Sequence, residues 1–422
     1  MKRLIGYTAI LCLLALTVGC GGVTSSGTLA YISNSTGTGF TVYTVNTNGT
    51  LTLSSISPQS TTTPPLELQF SPNGKWAYFI DNTATIHPIP GNGFTYSTGS
   101  HLYAYTRAGN GTLSTLIGVP IPVPGASSLV IAPNSTHLYV AEPNVATTDG
   151  GHTGVLAVYS IDQSTGILSQ ADLINVGYSI TQMVKSPGGS LLFGLAPTQQ
   201  AVVSWTLNSS SGLATQAATL PVGNLPDYMI LSANGNYMYI LDATATTTIP
   251  NVAVGGQPGP SPNFYAYTVG SNGILQTING SNPTPGVFNE NADLQYGLFP
   301  TNPVGGVTSN DSRFLFIVNQ GSNNISVFKL ATTSGEPTEV LGDLVTSGGI
   351  TTSTASPFPC TGCSGPSFAA VAKSNNALYV LDESSNKIFQ FGIDLNSGVL
   401  RSLNPASVTD PSISAPAWIT IR

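Results

Sequence analysis

Charged side chains are scarce in this sequence. Asp, Glu, Lys and Arg make up 7% of its 422 residues, against roughly a quarter in an average soluble protein. Ser, Thr, Asn and Gly must therefore provide most of the polar surface, which is typical of β-strands joined by turns. Disorder is disfavoured, because 41% of the residues are hydrophobic and they recur with regular alternation.

The chain also lacks any run of basic residues. Lys and Arg total 11 against 18 Asp and Glu, which gives a net charge of −7. Without a basic cluster, the sequence argues against nucleic acid and against anionic membrane surfaces as partners. We expect the protein to be a monomer.

The longest apolar run stands at the N-terminus. Lys2 and Arg3 precede apolar residues 4–18, and the run ends at Gly19-Cys20. This is the anatomy of a secretory signal, and the run is short for a membrane span. Its Gly-Cys end resembles the lipobox of bacterial lipoproteins, in which the Cys is acylated and becomes the new N-terminus; plain secretion with an incidental Cys is the alternative.

These features predict three segments. Residues 1–19 are a lipoprotein signal peptide, residues 20–28 are the lipidated Cys20 with a Ser/Gly tether, and residues 29–422 form the folded domain. The predicted location is the bacterial cell envelope, facing the periplasm or the exterior, with the lipid on Cys20 as the membrane anchor.

Histidine is also scarce, with four residues in the chain. The four histidines are scattered, and the sequence has no Ser-His-Asp phrase, nucleotide-binding loop or zinc-ligand spacing. We therefore expect no metal and no cofactor. His87 and His152 fall in long loops and are weak candidates for a general base.

Cys360 and Cys363 form a Cys-x-x-Cys in the loop PFPCTGCSGPS. Such a pair is a redox motif, half a metal site or a disulfide. There is no second pair nearby and no βαβ pattern, and the protein is predicted to be exported. The sequence therefore favours a disulfide that stiffens the loop.

One phrase recurs along the chain and sets its organisation. FSPNGKWAYFID begins at Phe70, and it reads as a strand, a tight Asn-Gly turn and a second strand that ends on an acidic residue. Related phrases begin at Ile131, Lys185, Leu231, Val307 and Val371. A second phrase, an alternating strand followed by a Gly-, Asn- or Ser-rich turn, is centred on Tyr43, Tyr105, Tyr159, Trp205, Tyr267, Phe328 and Phe391.

The first phrase occurs one time fewer than the second, so one inner strand is missing. The sequence PAWITI, which ends the chain, reads like such a strand, and LAYISN at Leu29 reads like a second strand with no turn before it. A last strand that completes the first unit closes a ring and removes free sheet edges. The sequence therefore predicts an all-β seven-bladed β-propeller of four-stranded antiparallel blades, closed by the C-terminal strand.

The SPNG turn, the aromatic-rich strand after it and the Gly-x-Leu phrases resemble the lactonase family of seven-bladed propellers. That family includes 6-phosphogluconolactonases and YVTN-repeat surface proteins, and the resemblance covers residues 29–422. It implies the propeller fold and, for an enzyme, the opening of a lactone. Blades of the family often begin with a Pro-Arg-His-like phrase, whereas the matching segments at Pro65, Asp227 and Pro366 carry neither Arg nor His.

The predicted ring has two unlike rims. The turns between first and second strands, and between third and fourth strands, are short, and all long insertions fall on the other rim, which we expect to be the functional face. Second strands end there on oxygen-bearing side chains, which either bind a cation or cap a turn, and the turn is favoured. They are Asn34, Asp81, Glu142, Asp242, Asn319 and Asp382.

Inside the same rim, the first strands bring one equivalent residue each towards the ring axis. These are Glu67, Ser128, Gln182, Tyr228, Gly305, Phe368 and Trp418. Aromatic rings beside amides and one acid suit a neutral, sugar-like or cyclic ligand, whereas phosphate requires Arg or Lys, which we do not expect there. The predicted ligand-binding residues are Glu67, Gln182, Asp227, Tyr228, Phe368 and Trp418, and packing between blades is the alternative role for them.

Two functions remain open. The first is a non-catalytic envelope propeller that binds a neutral small molecule or a protein partner on its loop-rich face. The second is a lactonase-type hydrolase that opens a cyclic ester, with Glu67 or a loop histidine as the base. The missing Arg and His phrases and the scarce charge favour the first.

Overall fold

The computed structural model describes residues 27–88, 95–116, 120–146, 152–222, 226–254, 257–278, 287–289, 300–340, 344–347, 350–353 and 356–422. Residues 1–19 and Cys20 lie outside this part of the chain. Regular structure within it is almost entirely β, and its helical element is the 3-10 turn Pro197–Gln199. None of its helices is long and apolar enough to cross a membrane.

Seven sheets, each with a core of four antiparallel strands, form the blades of a ring, as the repeats predict. The strands follow sequence order from the axis outwards in blades 2 to 7, whereas the innermost strand of blade 1 comes from the C-terminal end of the sequence. The innermost strands of blades 1 to 7 are Pro416–Ile421, Pro65–Phe70, Ser128–Ile131, Gln182–Lys185, Pro226–Leu231, Pro303–Thr308 and Pro366–Val371. The second strands are Leu29–Asn34, Trp76–Asp81, His137–Ala146, Leu191–Ala196, Tyr237–Val254, Phe314–Asn319 and Ala377–Asp382. The third strands are Phe40–Val45, His101–Arg107, His152–Ile161, Ala201–Leu207, Gln257–Val269, Asn324–Leu330 and Lys387–Ile393. The outer strands are Leu51–Leu53, Leu113–Thr115, Leu168–Asn175, Ala214–Pro221, Leu275–Thr277, Pro337–Glu339 and Leu400–Val408.

Short additional strands decorate the blades. Thr85–Pro88 pairs with Thr95–Thr98, and Leu344–Ser347 pairs with Ile350–Ser353, as separate hairpins. Three further segments lie against third strands: Ile121–Pro122, Val287–Asn289 and Phe358–Pro359. Both hairpins lie in the long insertions that the sequence places on one rim.

The ring closes through its two ends. Pro416–Ile421 pairs antiparallel with Leu29–Asn34, with Trp418 opposite Ser33. At the end of this ladder the backbones of Leu29 and Arg422 exchange hydrogen bonds of 2.8 and 2.7 Å. The predicted closure is confirmed, and the second strand of blade 1 is paired on both sides.

The apolar core is divided among the seams between blades. Buried side chains of the described residues form seven clusters, one for each pair of neighbouring blades. Second strands such as Trp76–Asp81 are buried along their whole length, because both faces of a blade pack against neighbours. These strands therefore read as continuous apolar runs, with aromatic residues that fill the wedge between blades.

A repeated tyrosine of the second strand also links neighbouring blades. Its hydroxyl donates a hydrogen bond to the carbonyl of the turn glycine between the third and fourth strands of the next blade. The pairs are Tyr31 with Gly111, Tyr78 with Gly166, Tyr139 with Gly212, Tyr239 with Gly335 and Tyr379 with Gly49. The last of these joins blade 7 to blade 1 and so reinforces the closure.

The Ser-x-Asn-Gly phrase has a local explanation. In blade 2 the hydroxyl of Ser71 accepts a hydrogen bond of 3.0 Å from the backbone N–H of Trp76, across the turn. Gly74 has a φ of +72°, which favours glycine. We call the rim with these turns and the third-to-fourth turns the tight-turn rim, and the opposite rim, with the blade connections, the loop-rich rim.

Candidate functional site

Two adjoining cavities lie along the ring axis, and we call them together the axial cavity. Their volumes are about 290 Å³ and 300 Å³. The first opens towards the loop-rich rim, where Asp227 lines it, and the second extends towards the tight-turn rim, where Thr308 and Lys185 line it. Five residues line both: Glu67, Gln182, Tyr228, Phe368 and Trp418.

The strand register explains why these residues meet. Each lies opposite the fifth residue of its blade's second strand, as Glu67 does opposite Ile80 and Tyr228 opposite Leu241. Phe368 and Trp418 occupy the same position in blades 7 and 1. Equivalent positions in blades that surround one axis point to one space, so the structure brings these residues together as a layer.

The polar members of this layer also tie the blades together. One Glu67 carboxylate oxygen accepts a hydrogen bond of 3.1 Å from the backbone N–H of Leu129, in blade 3. The Ser128 hydroxyl accepts one of 3.1 Å from the N–H of Met183, in blade 4. The Gln182 amide oxygen accepts a hydrogen bond of 2.7 Å from the backbone N–H of Met229, in blade 5. Packing between blades and a place in the cavity wall are therefore both properties of these side chains.

Glu67 is the carboxylic acid of this layer. Its side chain is buried, with 4% of the residue exposed, and its other oxygen accepts a hydrogen bond of 2.8 Å from the Gln69 amide. Burial raises its pKa to about 7, against the lowering effect of hydrogen bonds from Gln69, Leu129 and Ser128. At neutral pH the group can therefore both accept and release a proton.

Aromatic side chains form the other half of the wall. The rings of Phe368 and Trp418 contact each other, with centroids 4.4 Å apart and planes inclined at 37°. Burial and the Glu67 charge raise the pKa of the Tyr228 phenol, so its hydroxyl stays protonated and can donate a hydrogen bond. In blade 6 a Cβ on Gly305 would meet the carbonyl oxygen of Ser367 at 2.8 Å, so this blade presents backbone.

Among the cavity-lining residues that were not predicted from the sequence, Lys185 and Gln69 matter most for the chemistry. Lys185 lines the inner part of the axial cavity, so the expectation that no cation lies there is wrong. Burial lowers the pKa of its ammonium group. Lys185 begins the repeated phrase of blade 4 at the position that Phe70 holds in blade 2, three residues after Gln182, and so was not counted among the residues near the axis. Gln69 also lines the cavity, and alternation by two from Glu67 along the strand would have found it.

The other candidates lie apart from this layer. Asp227 lines the outer mouth, and burial together with the Asp242 charge raises its pKa. His87 lies in the blade 2 hairpin, with its Nε2 atom 2.7 Å from the Thr98 hydroxyl, and it lines neither cavity. His152 begins the third strand of blade 3, and its side chain lies outside the described part of the structure.

The oxygen-bearing residues at the ends of second strands act mainly as local caps. Asp81 accepts hydrogen bonds from the backbone N–H of His101 and the hydroxyl of Thr83. Asp382 accepts from the backbone N–H groups of Ser364 and Ser385. Among the described residues, no group of three or more His, Cys, Asp and Glu residues is placed to hold a metal ion.

Cys360 and Cys363 are joined by a disulfide in the structure. Cys360 is buried in the cluster between blades 6 and 7, where Phe358 and Phe389 also pack. The bridge therefore fixes a loop at the loop-rich rim against the blades below it.

No protein-family model and no curated protein sequence matches the chain. Solved structures do resemble it. A periplasmic gluconolactonase from Pseudomonas aeruginosa aligns with a TM-score of 0.65 at 16% identity, covering 93% of this chain and 98% of that one. A structure described as a putative 6-phosphogluconolactonase from Bacteroides fragilis gives 0.64 at 15% identity, with 94% and 99% covered. One with the same description from Bacteroides uniformis gives 0.66 at 13%, with 94% and 100% covered. At this level of identity the likeness shows the fold, and the chain has the seven-bladed propeller arrangement of these 6-phosphogluconolactonase-like proteins.

Proposed function

We propose that the axial cavity opens a neutral, sugar-like lactone by hydrolysis, with Glu67 as the general base. The observation that carries the proposal is the placement of one buried carboxyl group in an aromatic-walled cavity on the ring axis. The solved structures that share the fold over nearly its whole length are described as gluconolactonase or 6-phosphogluconolactonase, which supports lactone hydrolysis above non-catalytic binding.

Glu67 has the properties that a base for this reaction needs. A general base works best when its pKa lies near the working pH, and burial brings the pKa of Glu67 to about 7. Its oxygens accept hydrogen bonds from Gln69 and Leu129, but a carboxylate has about four lone-pair sites, so it can still accept one from water. The two contacts fix the orientation of the carboxylate.

The reaction balances with groups that line the cavity. Water attacks the lactone carbonyl carbon while Glu67 takes its proton, and the carbonyl π electrons move onto oxygen. Tyr228 and Lys185 line the same cavity and can donate hydrogen bonds to that oxyanion. The ring C–O bond then breaks, and the proton held by Glu67 passes to the departing ring oxygen, which leaves an open-chain hydroxy acid.

The wall selects for a neutral ring. Trp418, Phe368 and Tyr228 present aromatic surface, and such faces pack against the C–H groups of a sugar-like ring. Among the described residues that line the cavity, Lys185 is the one cation. A phosphorylated lactone would need a more strongly basic subsite. We therefore infer an unphosphorylated substrate.

Binding without turnover is the second candidate. It is favoured by the hydrogen bonds that already occupy both Glu67 oxygens and by the absence of a histidine among the described residues that line the cavity. In that case the cavity holds a neutral ligand, or the loop-rich rim holds a partner loop, and Glu67 accepts hydroxyl donors without moving a proton.

The location of this activity is also a proposal. The apolar run over residues 4–18 and the Gly19-Cys20 that follows it support secretion and lipid attachment at Cys20. The protein would then act in the bacterial cell envelope as an anchored monomer. Mass spectrometry of the N-terminal peptide from the envelope protein tests this, and an unmodified Cys20 or a retained signal would contradict it.

A panel of lactones tests the function, with two glutamates as a matched pair. Glu67→Gln should lower kcat by about 10²-fold or more, because the proton acceptor is lost. Glu142→Gln is the control, since Glu142 is also buried and has a pKa of about 7, but it lines neither cavity. Equal loss in both variants, or full activity in Glu67→Gln, would contradict the proposal. Quenching of Trp418 fluorescence by a lactone that is never hydrolysed would favour the second candidate.

A further inference from the structure

The basic residues of this acidic protein collect on one rim. After residue 26, every Lys and Arg except Lys387 lies in a first-to-second turn, at the end of a first or third strand, or at the start of an outer strand. These are positions on the tight-turn rim, and the residues are Lys75, Arg107, Lys185, Arg313, Lys329, Lys373, Arg401 and Arg422. These residues are spread singly along the chain, so the sequence alone shows no run of basic residues.

Three of these residues, Arg107, Lys373 and Arg422, interact where blades 7, 1 and 2 meet, and Lys75 stands in the adjacent blade 2 turn, with its Nζ atom 5.9 Å from the centroid of the Trp76 ring. The Arg422 guanidinium donates a hydrogen bond of 3.0 Å to the carbonyl of Pro72, in the blade 2 turn, and Lys75 lies in the same turn. The backbone N–H of Arg107 donates to the Lys75 carbonyl at 2.8 Å. Lys373 lies in the blade 7 turn, and after burial the charges of Arg422 and Arg107 lower the pKa of its ammonium group. We call these four residues the basic cluster.

The acidic groups of the same rim lie elsewhere on it. Asp311 pairs with Arg313 at 2.7 Å in blade 6. In the outer turn of blade 7, hydrogen bonds from Ser397 and Asn396, and after them the Arg401 charge, lower the pKa of Asp394. Asp162, Glu336 and Glu339 lie in or beside the outer turns of blades 3 and 6. No salt bridge to an acidic residue is recorded for Lys75, Lys373 or Arg422 among the described residues.

The N-terminal segment joins the ring beside the basic cluster. Leu29, the first residue of blade 1, exchanges backbone hydrogen bonds with Arg422. The chain before it contains Cys20, the predicted site of the lipid. Nine residues span at most about 30 Å, so a lipid on Cys20 lies within that distance of Leu29.

We propose that the tight-turn rim rests on anionic phospholipid headgroups, with Lys75, Arg107, Lys373 and Arg422 as its contact. A lipid chain combined with a small basic patch anchors a protein to a membrane more firmly than either alone. Here the segment that carries Cys20 joins the ring at Leu29, next to Arg422 of the basic cluster. The loop-rich rim, with the mouth of the axial cavity, then faces away from the membrane. The proposal takes the lipid on Cys20 from the sequence and does not depend on lactone hydrolysis.

Lysine labelling on vesicles tests this orientation. The full chain is extracted from bacterial envelopes and bound to vesicles of phosphatidylcholine alone or mixed with phosphatidylglycerol. An impermeant amine reagent then reports on exposed lysines by mass spectrometry. We expect labelling of Lys75 and Lys373 to fall about threefold or more on the anionic vesicles, and to recover in 1 M salt, where the Debye length is about 3 Å. Lys387, on the loop-rich rim, should label equally on both.

Two charge reversals in blade 7 form a matched pair. Lys373→Glu removes one cation from the basic cluster, and Lys387→Glu makes the same change on the opposite rim. Lys373→Glu should restore labelling of Lys75 on anionic vesicles, and Lys387→Glu should not. The proposal would be overturned by any of three results. Lys75 and Lys373 could label equally on both kinds of vesicle, the two variants could have an equal effect, or the full chain could fail to bind either vesicle.

Discussion

The two rims of the ring obey different rules. On the tight-turn rim the same devices recur from blade to blade: a Ser hydroxyl across the first turn, a glycine in the outer turn, and a Tyr hydroxyl from the neighbouring blade, as in Ser71, Gly111 and Tyr31. On the loop-rich rim the blades differ in loop length and in the side chains around the cavity mouth. The repeated rim therefore holds the ring together, and the variable rim presents the chemistry.

The pKa values of acidic side chains are shifted in opposite directions on the two rims. Towards the loop-rich rim, burial raises the pKa of Glu67 and of Glu142 to about 7. On the tight-turn rim, hydrogen bonds from Ser164 and Thr165 hold the pKa of Asp162 well below its usual range. Turn acids that accept backbone hydrogen bonds stabilise the repeat, whereas buried acids cost stability when ionised and are suited to proton transfer.

Loss of the closing strand should have the largest effect, because this strand runs from one rim to the other. Deletion of residues 414–422 leaves the second strand of blade 1 without its inner partner, and it removes Ile419 from the cluster around Ala30 and Tyr379, which becomes exposed. We expect the free energy of unfolding to fall by several kcal/mol, from the apolar area of a whole core strand. Removal of Arg422 alone is the control. A deletion variant that melts at the wild-type temperature would falsify the closure.

Stability should next depend on pH through the buried acids. The folded pKa of Glu67 and of Glu142 is about 7, against 4.5 for the free side chain. A raised folded pKa means that the folded state binds the proton more tightly, so this stability is fully present below about pH 4.5 and is lost as pH rises through 7. Each group contributes up to about 3 kcal/mol.

Chemical denaturation between pH 4.5 and 8 measures this loss. Glu67→Gln and Glu142→Gln should each flatten the curve, because the amide does not titrate. An Asp162→Asn variant is the comparison from the other rim: the stability that ionised Asp162 contributes is lost only as pH falls below about 4, so this variant should leave the slope of the curve between pH 4.5 and 8 unchanged. A wild-type stability that rises between pH 5 and 7.5 would contradict the assignment of both buried acids.

A smaller effect should come from the tyrosines that link the blades. Tyr379→Phe leaves the Gly49 carbonyl without its 2.7 Å partner at the closing seam, at a cost of about 1–2 kcal/mol. Tyr267→Phe is the control, because that buried hydroxyl has no hydrogen-bond partner among the described residues and its removal should be neutral or stabilising. Equal destabilisation of the two variants would show that ring packing, and not the hydrogen bond, sets the cost.

The sequence predicted the tight-turn rim well because its signals are local. Asn73-Gly74 and its equivalents specify the turns, and the shortfall of one inner strand indicated that Pro416–Ile421 closes the ring. Counting from the strand ends also placed Glu67, Tyr228 and Trp418 around one axis. These inferences need only the period of the repeat.

The rest depends on distances between blades, which the sequence does not carry. The hydrogen bond from Leu129 to Glu67 and the place of Lys185 in the cavity wall follow from how far one inner strand lies from the next. The basic cluster has the same origin, since Lys75, Lys373 and Arg422 are far apart in sequence and meet only when blades 7, 1 and 2 close. Composition alone therefore missed it.

The pH dependence of lactone opening tests the central claim most directly. After subtraction of the spontaneous reaction, kcat/KM of the wild-type protein should rise with pH through about 7 and then level off, since Glu67 must be ionised to accept the proton. In Glu67→Gln the rise with pH should disappear and the rate should fall about 10²-fold or more. Glu142→Gln should keep both the rise with pH and the wild-type rate. A wild-type profile that is flat across pH 7, or a rise that persists in Glu67→Gln, would show that the axial carboxyl group is not the base.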